Sequence, residues 1–504
     1  MSKNRYDVIV VGGGGSGLMA ALTASRFGRS VLLLEKCKEL GGTTRLSVGT
    51  ICVTSTPHQR AIGIADTPNE HFEDMAKFPG FLPNRDNPIL RRLLVEEAPE
   101  TFQLLQDIGV VFADPIPEPP HRVPRVHAIV PHSKGYIDRL AAACRRRHVE
   151  VVCSAPVTRL LSEGERVIGV EYSHASGRRE TADAACVILA SGDFSSADRD
   201  YKARFMTGPI LELSGINPHS TGDGQRLGES VGGEIVNGDL AWGPEIRFLA
   251  PPKPPFLSRL PSFPWLARLI AGVMPVLPAV LMRPFLMGFV TTYLAPSQSL
   301  FSHGAILVNK SGQRFCDELE RPQDHIGDQP DHLAYVLFDW NVAGKLSGWP
   351  NYISTAPGVG YATLSDYEKC RKDIFFKADS LNGLAKRLGV DAASFSSSIS
   401  AYNSSLQNAK DSLRAPIAKP PFYALGPAKS WIVFSEGGLR VDERLQVLRR
   451  DGSPIAGLFA AGSVGQGGVL LEGHGHHLAW AFTSGRLAGR NAALPLGIAS
   501  ARGR

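Results

Sequence analysis

Asp7 is followed by four apolar residues, Val8–Ile9–Val10–Val11, and then by Gly12, Gly14 and Gly17. A short unbroken apolar run closed by glycines predicts a strand buried on both faces of a parallel sheet. A second run, Val31–Leu32–Leu33–Leu34, ends on Glu35. Residues 7 to 35 therefore predict a β-α-β unit. Gly12 suits the tight turn, Gly14 the close approach of backbone to a pyrophosphate, and Gly17 the close packing of helix on strand. The helix start, with Gly15 and Ser16, faces the phosphates. Glu35 sits where a carboxylate accepts hydrogen bonds from a ribose. Strand, glycines, helix, strand and acid in this order point to a dinucleotide cofactor, either NAD or FAD.

Further along, Ile89, Leu90, Leu93 and Leu94 recur at helical spacing, predicting a helix over Pro88 to Val110 that Pro99 kinks or divides. Gly135 to Arg147 also predicts a helix, leading into a strand over Val149 to Cys153. Val167 to Tyr172 and Ala185 to Ala190 predict strands on either side of a polar turn at Ser176–Gly177–Arg178. Ser191–Gly192 then ends the run at a second glycine-closed strand edge. Thr221–Gly222–Asp223–Gly224 precedes a helix over Gln225 to Val231, with Thr221 as its expected cap.

Residues 235 to 429 differ in texture, and glycine-rich α/β-like sequence returns near Ser435. The expected organisation is a cofactor domain over 1–235 and 430–504, with a second domain over 236–429 inserted into it. The last residues, Ala499 to Arg504, are expected to fray. Within the insert, 251–300 is unusual. Leu269 to Met282 and Pro284 to Leu300 carry no charge and are separated by Arg283. Pro275, Pro278, Pro284 and Pro296 argue against one straight spanning helix. Two readings stand: a buried two-helix hairpin, or a surface that dips into lipid and admits an apolar substrate.

The 504 residues allow two or three domains, and 52 glycines suit many tight turns around a cofactor. The net charge of +6 is mild for this length, and no basic block suggests nucleic acid. Seven cysteines follow no disulfide, zinc or iron–sulfur spacing, and no Cys-x-x-Cys-His is present. Free thiols in a reducing cytoplasm are expected. No signal-peptide pattern precedes the first strand, so the fold is expected to begin almost at Met1.

Several blocks together resemble the fumarate reductase/succinate dehydrogenase flavoprotein family, in particular its 3-ketosteroid dehydrogenase-like branch. They are the first glycines with Glu35, Gly41–Gly42–Thr43–Thr44, and Thr221–Gly222–Asp223–Gly224. Further blocks are Ala305–Asn309 with Gly312–Glu318, Glu436–Gly437–Gly438–Leu439, and Gly457–Gly462 with Gly485–Arg486. The resemblance implies an α/β fold: a Rossmann-like FAD-binding domain with an inserted α+β substrate-capping domain. It implies FAD rather than NAD. The cofactor residues it implies are Gly12, Gly14, Gly15, Ser16, Gly17, Glu35, Lys36, Gly41, Gly42, Thr43, Thr44, Ser47 and Gly49. To these it adds Pro156, Val157, Ala190, Ser191, Gly192, Thr221, Asp223, Gly224, Gly462, Ser463, Gly475, His476 and Leu478. Covalent members attach flavin through a histidine near the position of Thr43. No histidine lies before His58, so noncovalent FAD is expected.

Fumarate-reducing members seat two carboxylates on histidines and arginines. Here the histidine expected near Phe434 is missing, and Glu472 stands where an arginine is expected. Arg321 follows Phe315–Cys316–Asp317–Glu318 close to the place of a proton-donating arginine. Leu471 lies where steroid dehydrogenases of the branch carry a tyrosine, leaving Tyr293 and Tyr136 as candidate replacements. His474, His476 and His477 cluster beside Gly473 and Gly475; His474 and His476 are candidate acid–base groups. A metal would need ligands from elsewhere, and none is expected. Trp242, Phe434, Ser435, Glu472 and Gly473 are the candidate substrate contacts.

The expected activity is an FAD-dependent dehydrogenase that introduces a double bond beside the carbonyl of a cyclic ketone or 3-ketosteroid. The alternative is a fumarate reductase-like enoate reductase with Arg321 as proton donor. The expected partners are a small apolar carbonyl substrate, an electron acceptor such as a quinone, and a membrane surface at the inner face of the membrane.

Overall fold

The computed structural model describes residues 5–253, 255–348, 351–356, 360–406 and 414–494. The expectation for Ala499 to Arg504 falls outside them.

Arg5–Val11 lies at the centre of an eight-stranded sheet. On one side it pairs in parallel with Val31–Leu34, which pairs with Glu150–Val152. On the other it pairs in parallel with Arg179–Leu189, which pairs with Pro454–Ala460. The chain thus builds outward in one direction and then returns to the other side of its first strand. That reversal opens a crevice beyond the carboxyl ends of Arg5–Val11 and Arg179–Leu189, the place where such sheets hold ligands. Val8 to Val10 and Leu32 to Leu34 are buried, as the apolar runs require. The hairpin predicted around Gly177 is formed by Arg166–Ser173 and Arg179–Leu189.

Helix Gly15–Arg26 follows the first strand and packs along the final helix, His476–Ala493. Gly17 lets the helix close on the Gly12 turn, and Gly485 and Gly489 make the contact between the two helices. A Cβ on Gly17 would lie 1.9 Å from the Gly12 carbonyl oxygen, and Cβ atoms on Gly485 and Gly489 would lie 2.3 Å from the carbonyl oxygens of Ser16 and Ala20. Gly12 turns at φ +110, within 2.5 Å of the Ala190 carbonyl oxygen as a Cβ would meet it. The predicted helices form as Pro88–Asp107, Lys134–Arg146 and Asp223–Ser230. Pro99 lies inside the first without dividing it. Thr221 does not cap the third: Gly222 occupies the cap in the left-handed region, and the Thr221 hydroxyl donates to Asp223 instead.

Two short ribbons link the regions on either side of the insert. Ile235–Val236 pairs with Gly438–Leu439, and Ala241–Trp242 with Phe434–Ser435. Beyond them a five-stranded sheet is built from Glu245–Phe248, Ile306–Asn309, Ala334–Phe338, Phe375–Ala378 and Phe422–Trp431. The uncharged stretch folds into helices Pro264–Val273 and Ala279–Tyr293, joined by a short 3-10 turn. Arg371 is buried and donates to the Thr291 carbonyl at 2.9 Å; Arg283 pairs with Asp366 at 2.7 Å. These bonds pin the longer helix to helix Leu364–Cys370 and the residue that ends it. No helix among the described residues is long and apolar enough to cross a membrane.

Candidate functional site

The crevice is lined by the glycine turn and the loops around it. Glu35 is buried, and its carboxylate accepts from the Gly13 amide at 2.7 Å and the Cys37 amide at 2.8 Å. These bonds hold the turn and leave each oxygen a second lone pair for a ribose. Lys36 donates to Asp223 at 2.8 Å, which brings the Thr221–Gly224 block to the rim. Thr44 accepts from the Gly15 amide at 3.2 Å, and Asn217 donates to Thr43 at 2.9 Å. Ser191 Oγ is buried without a partner, directly after the strand that ends at the crevice. Pro156 accepts from the Ser173 amide, and Val157 begins the adjoining strand. Ser463 lies in the short turn Gly462–Gly465, and Leu478 packs on the core of the sheet.

Helices Gly15–Arg26 and His476–Ala493 both begin on glycine caps, Gly14 and Gly475, with no side-chain cap bond. Apart from the Gly15 amide, which donates to Thr44, the uncapped amides at these helix starts suit anionic phosphate or a negatively polarised ring edge. A Cβ on Gly14 would meet nothing closer than 3.9 Å, so its backbone is open to approach. The open glycine, the unfilled caps, the orphaned Ser191 hydroxyl and the Glu35 lone pairs fit an FAD.

Beside Ser47, Val48 and Thr50 lies a cavity of about 510 Å³. One wall comes from Ala113, Ile116, Val126 and Ala128 to Ser133. The other is the apolar hairpin: Leu269, Ile270, Val273, Leu286, Phe289 and Tyr293. Glu118 and His474 also line it and bring an ionisable pair to an otherwise mainly apolar wall. The His474 amide donates to Glu118 at 3.1 Å, and the ring Nδ1 bonds the same carboxylate. That bond holds the imidazole pKa above its ordinary value.

The other predicted site residues are dispersed. Tyr293 lines the cavity, and its carbonyl accepts from Arg247 at 2.9 Å. Tyr136 is fully buried, donates to the Gly49 carbonyl at 3.0 Å, and is pushed far up by burial, which leaves it outside the cavity wall. Arg321 has a side chain 69% exposed and is paired with Asp324 at 2.6 Å. Ser435 is buried; its hydroxyl accepts from the Phe194 amide and its amide donates to Asp193, tying the ribbon to the crevice loop. Trp242 and Phe434 pack together, and the His477 ring lies 3.6 Å from that of Phe434. Glu472 is half-buried, and burial followed by the nearby Glu436 raises its pKa. Gly473 turns at φ +88 against Phe78.

His476 turns its ring away from this cavity. Nδ1 bonds the Glu472 carbonyl, and Nε2 lies 2.9 Å from Nε2 of His71. Burial lowers its pKa to about 4. His71, His121 and Glu118 were not singled out by the sequence. No local spacing marks them: His71 and Glu118 have partners 405 and 356 positions away, and Cys52 lies 19 positions from His71 and 69 from His121.

Residues 7–248 and 277–471 match the FAD binding domain family, and the chain belongs to this family of fumarate reductase/succinate dehydrogenase flavoproteins. It is 29% identical to an NADH:fumarate oxidoreductase of Klebsiella pneumoniae (strain 342), over 97% of this chain and 48% of that protein. It is 26% identical to a vinyl phenol reductase of Lactiplantibacillus plantarum (strain ATCC BAA-793 / NCIMB 8826 / WCFS1), over 97% and 96% of the two chains. The chain thus spans about half the length of the first of these and nearly all of the second. Its fold is similar to that of an open flavocytochrome c3 fumarate reductase, with TM-score 0.71, 24% identity, and coverage of 97% and 78%. It is also similar to the 3-ketosteroid Δ1-dehydrogenase of Sterolibacterium denitrificans, with TM-score 0.63, 21% identity, and coverage of 97% and 99%.

Proposed function

We propose that this protein is an FAD-dependent reductase of a carbon–carbon double bond conjugated to a polarising group, and that its substrate is largely apolar. The observation that carries this reading is the apolar cavity beside Ser47 with a single Glu118–His474 pair in its wall. The relatives favour the reductive direction: they include reductases of fumarate, urocanate and vinyl phenol, and an NADH:acrylate oxidoreductase. They support the enoate-reductase alternative better than the ketone dehydrogenase expected first.

The FAD is held without a covalent bond, on the residues of the crevice; when bound it supplies the hydride. The chain's own residues do the rest. The hairpin and the wall opposite it exclude water and hold the apolar body of the substrate, at roughly 25 cal/mol per Å² of apolar area buried. Addition of hydride to one carbon leaves the other to take a proton. His474, kept protonated by Glu118, gives that proton from Nε2, since Nδ1 is held by the carboxylate. Arg321, the donor in the alternative, would have to leave Asp324 and turn inward to do the same. The acids Glu472 and Glu436 near Phe434 disfavour a dicarboxylate there, since a buried unpaired carboxylate is costly. A quinol or another small reduced carrier supplies the two electrons and is itself oxidised, the quinol to its quinone.

The test is anaerobic. The protein is reduced with dithionite and mixed with fumarate, with an apolar enone or with a vinyl phenol. The apolar compounds should restore the yellow colour faster than fumarate. Reoxidation by fumarate alone would reject the apolar-substrate reading. Bleaching of the oxidised protein by a saturated cyclic ketone, with no reoxidation by any alkene, would restore the dehydrogenase.

A further inference from the structure

Behind the cavity wall, four buried side chains from distant segments turn toward one point. Cys52 ends the strand Thr50–Cys52; His71 lies in helix Pro68–Met75; His121 lies in the loop that carries Glu118; and His476 begins the final helix. One ligand atom from each lies within 4.8 Å of all the others. The Cys52 sulfur is 3.5 Å from His71 Nε2 and 3.4 Å from His121 Nε2, and the His71 and His476 Nε2 atoms are 2.9 Å apart. In a tetrahedral zinc site, bonds of about 2.0–2.3 Å place ligand atoms roughly 3.3–3.7 Å apart. Three of the six ligand–ligand separations already lie close to that range.

The protonation pattern also fits a metal. His476 Nδ1 donates to the Glu472 carbonyl, so its Nε2 carries a lone pair; a second-shell carbonyl of this kind orients many metal-bound histidines. His71 Nδ1 is buried without a partner, so the other members of the cluster are the polar groups that face this ring. Two ligands must adjust. With a lone pair on His476 Nε2, the 2.9 Å contact puts a proton on His71 Nε2, which must move to Nδ1 before that nitrogen can bind a metal. His121 must change as well. Arg125 Nη1 donates to its Nδ1 at 3.0 Å, so the ring proton sits on Nε2. It must move to Nδ1, and the guanidinium must swing aside while keeping Asp66 and Asp74, which it already holds.

We propose that Cys52, His71, His121 and His476 form a closed structural site for a divalent metal of the zinc type. Four protein ligands leave no open position, which distinguishes a structural from a catalytic zinc. Binding forms one metal–sulfur and three metal–nitrogen bonds and releases the Cys52 proton to solvent. The metal would join the start of the final helix to the loop carrying Glu118, and so fix the distance between Glu118 and His474.

Untagged, FAD-loaded protein from zinc-supplemented medium is analysed by plasma mass spectrometry, and by absorption after cobalt(II) exchange. Stoichiometric zinc and an intense tetrahedral cobalt spectrum with a thiolate charge-transfer band are expected. C52S should keep its flavin absorption, lose that band and bind metal at least tenfold more weakly. H71Q should also lose the tetrahedral spectrum. Folded, yellow wild-type protein that takes up neither metal overturns the proposal, whatever the variants do. So does C52S binding with the wild-type spectrum and affinity. The reductase reading is judged separately, by flavin reoxidation.

Discussion

His474 and Glu118 stand 356 positions apart in the chain, yet one carboxylate holds both the amide and the ring of the histidine. The bond favours imidazolium, so the proton-donating form persists above the ordinary histidine pKa of about 6.5. The sign follows directly: reduction should be full at low pH and decline as pH rises through the raised pKa. His474→Gln should lower the rate of flavin reoxidation by about 10²-fold and remove that decline. Arg321→Gln, at an exposed ion pair, should leave both unchanged. The opposite pair of results, in stopped-flow traces across pH, would make Arg321 the donor. The glycines, Glu35 and His474 were legible in the sequence because each lies inside a local block. Glu118 was not, because its role exists only once the chain has brought it to His474. His476 shows the reverse: the sequence marked the residue, but its ring orientation depends on the Glu472 carbonyl and on His71.

At the scale of elements, the first and last helices carry the cofactor crevice between them. Their packing depends on backbone contact at Gly485 and Gly489, where a Cβ would fall 2.3 Å from a carbonyl oxygen. Neither atom is the end of a flexible side chain, so the helices must part. Gly489→Val should therefore destabilise the protein by about 1–3 kcal/mol or more. It should also weaken FAD retention, because both uncapped helix starts shift. Thermal unfolding and flavin release on dilution measure the two effects; unchanged values for both would show that the helices have room to spare. The β-α-β unit was legible because apolar runs and glycines alternate at short range. The five-stranded sheet was much less so, because its strands are separated by loops and helices and its pairing follows no local signal. Of the two outcomes expected at Pro99, a kink or a division, division does not occur: the buried residues around it, from Leu94 to Leu105, keep the helix continuous.

For FAD, the test is made on the whole molecule. The flavin should separate completely from the chain on denaturation and filtration, because Thr43 and its neighbours include no attachment histidine. Yellow colour retained by the unfolded chain would reject noncovalent binding.

The hairpin raises a further question at the same scale. Eight of the sixteen exposed large apolar side chains among the described residues lie between Phe256 and Phe285. Trp265 is 65% exposed and Val276 78%. The inner sides of the same two helices line the apolar cavity, so one structure presents apolar surface both outward and inward. From 246 to 316 the chain has no acidic residue, while Lys253, Arg259 and Arg268 are basic. Apolar side chains among basic ones suit an anionic lipid surface, where the chain would lie on the bilayer rather than cross it. A lipid-soluble alkene or quinol then passes from the bilayer into the cavity beside the flavin loops. The protein is expected to float with vesicles containing anionic lipid and to bind more weakly as salt rises. A variant carrying Trp265→Ser and Val276→Asp should remain in solution, with its flavin absorption unchanged. Reoxidation by a water-soluble apolar alkene should be preserved, and reoxidation by one delivered in vesicles should slow. Wild-type protein that ignores vesicles of every charge would leave the hairpin as a cavity wall alone.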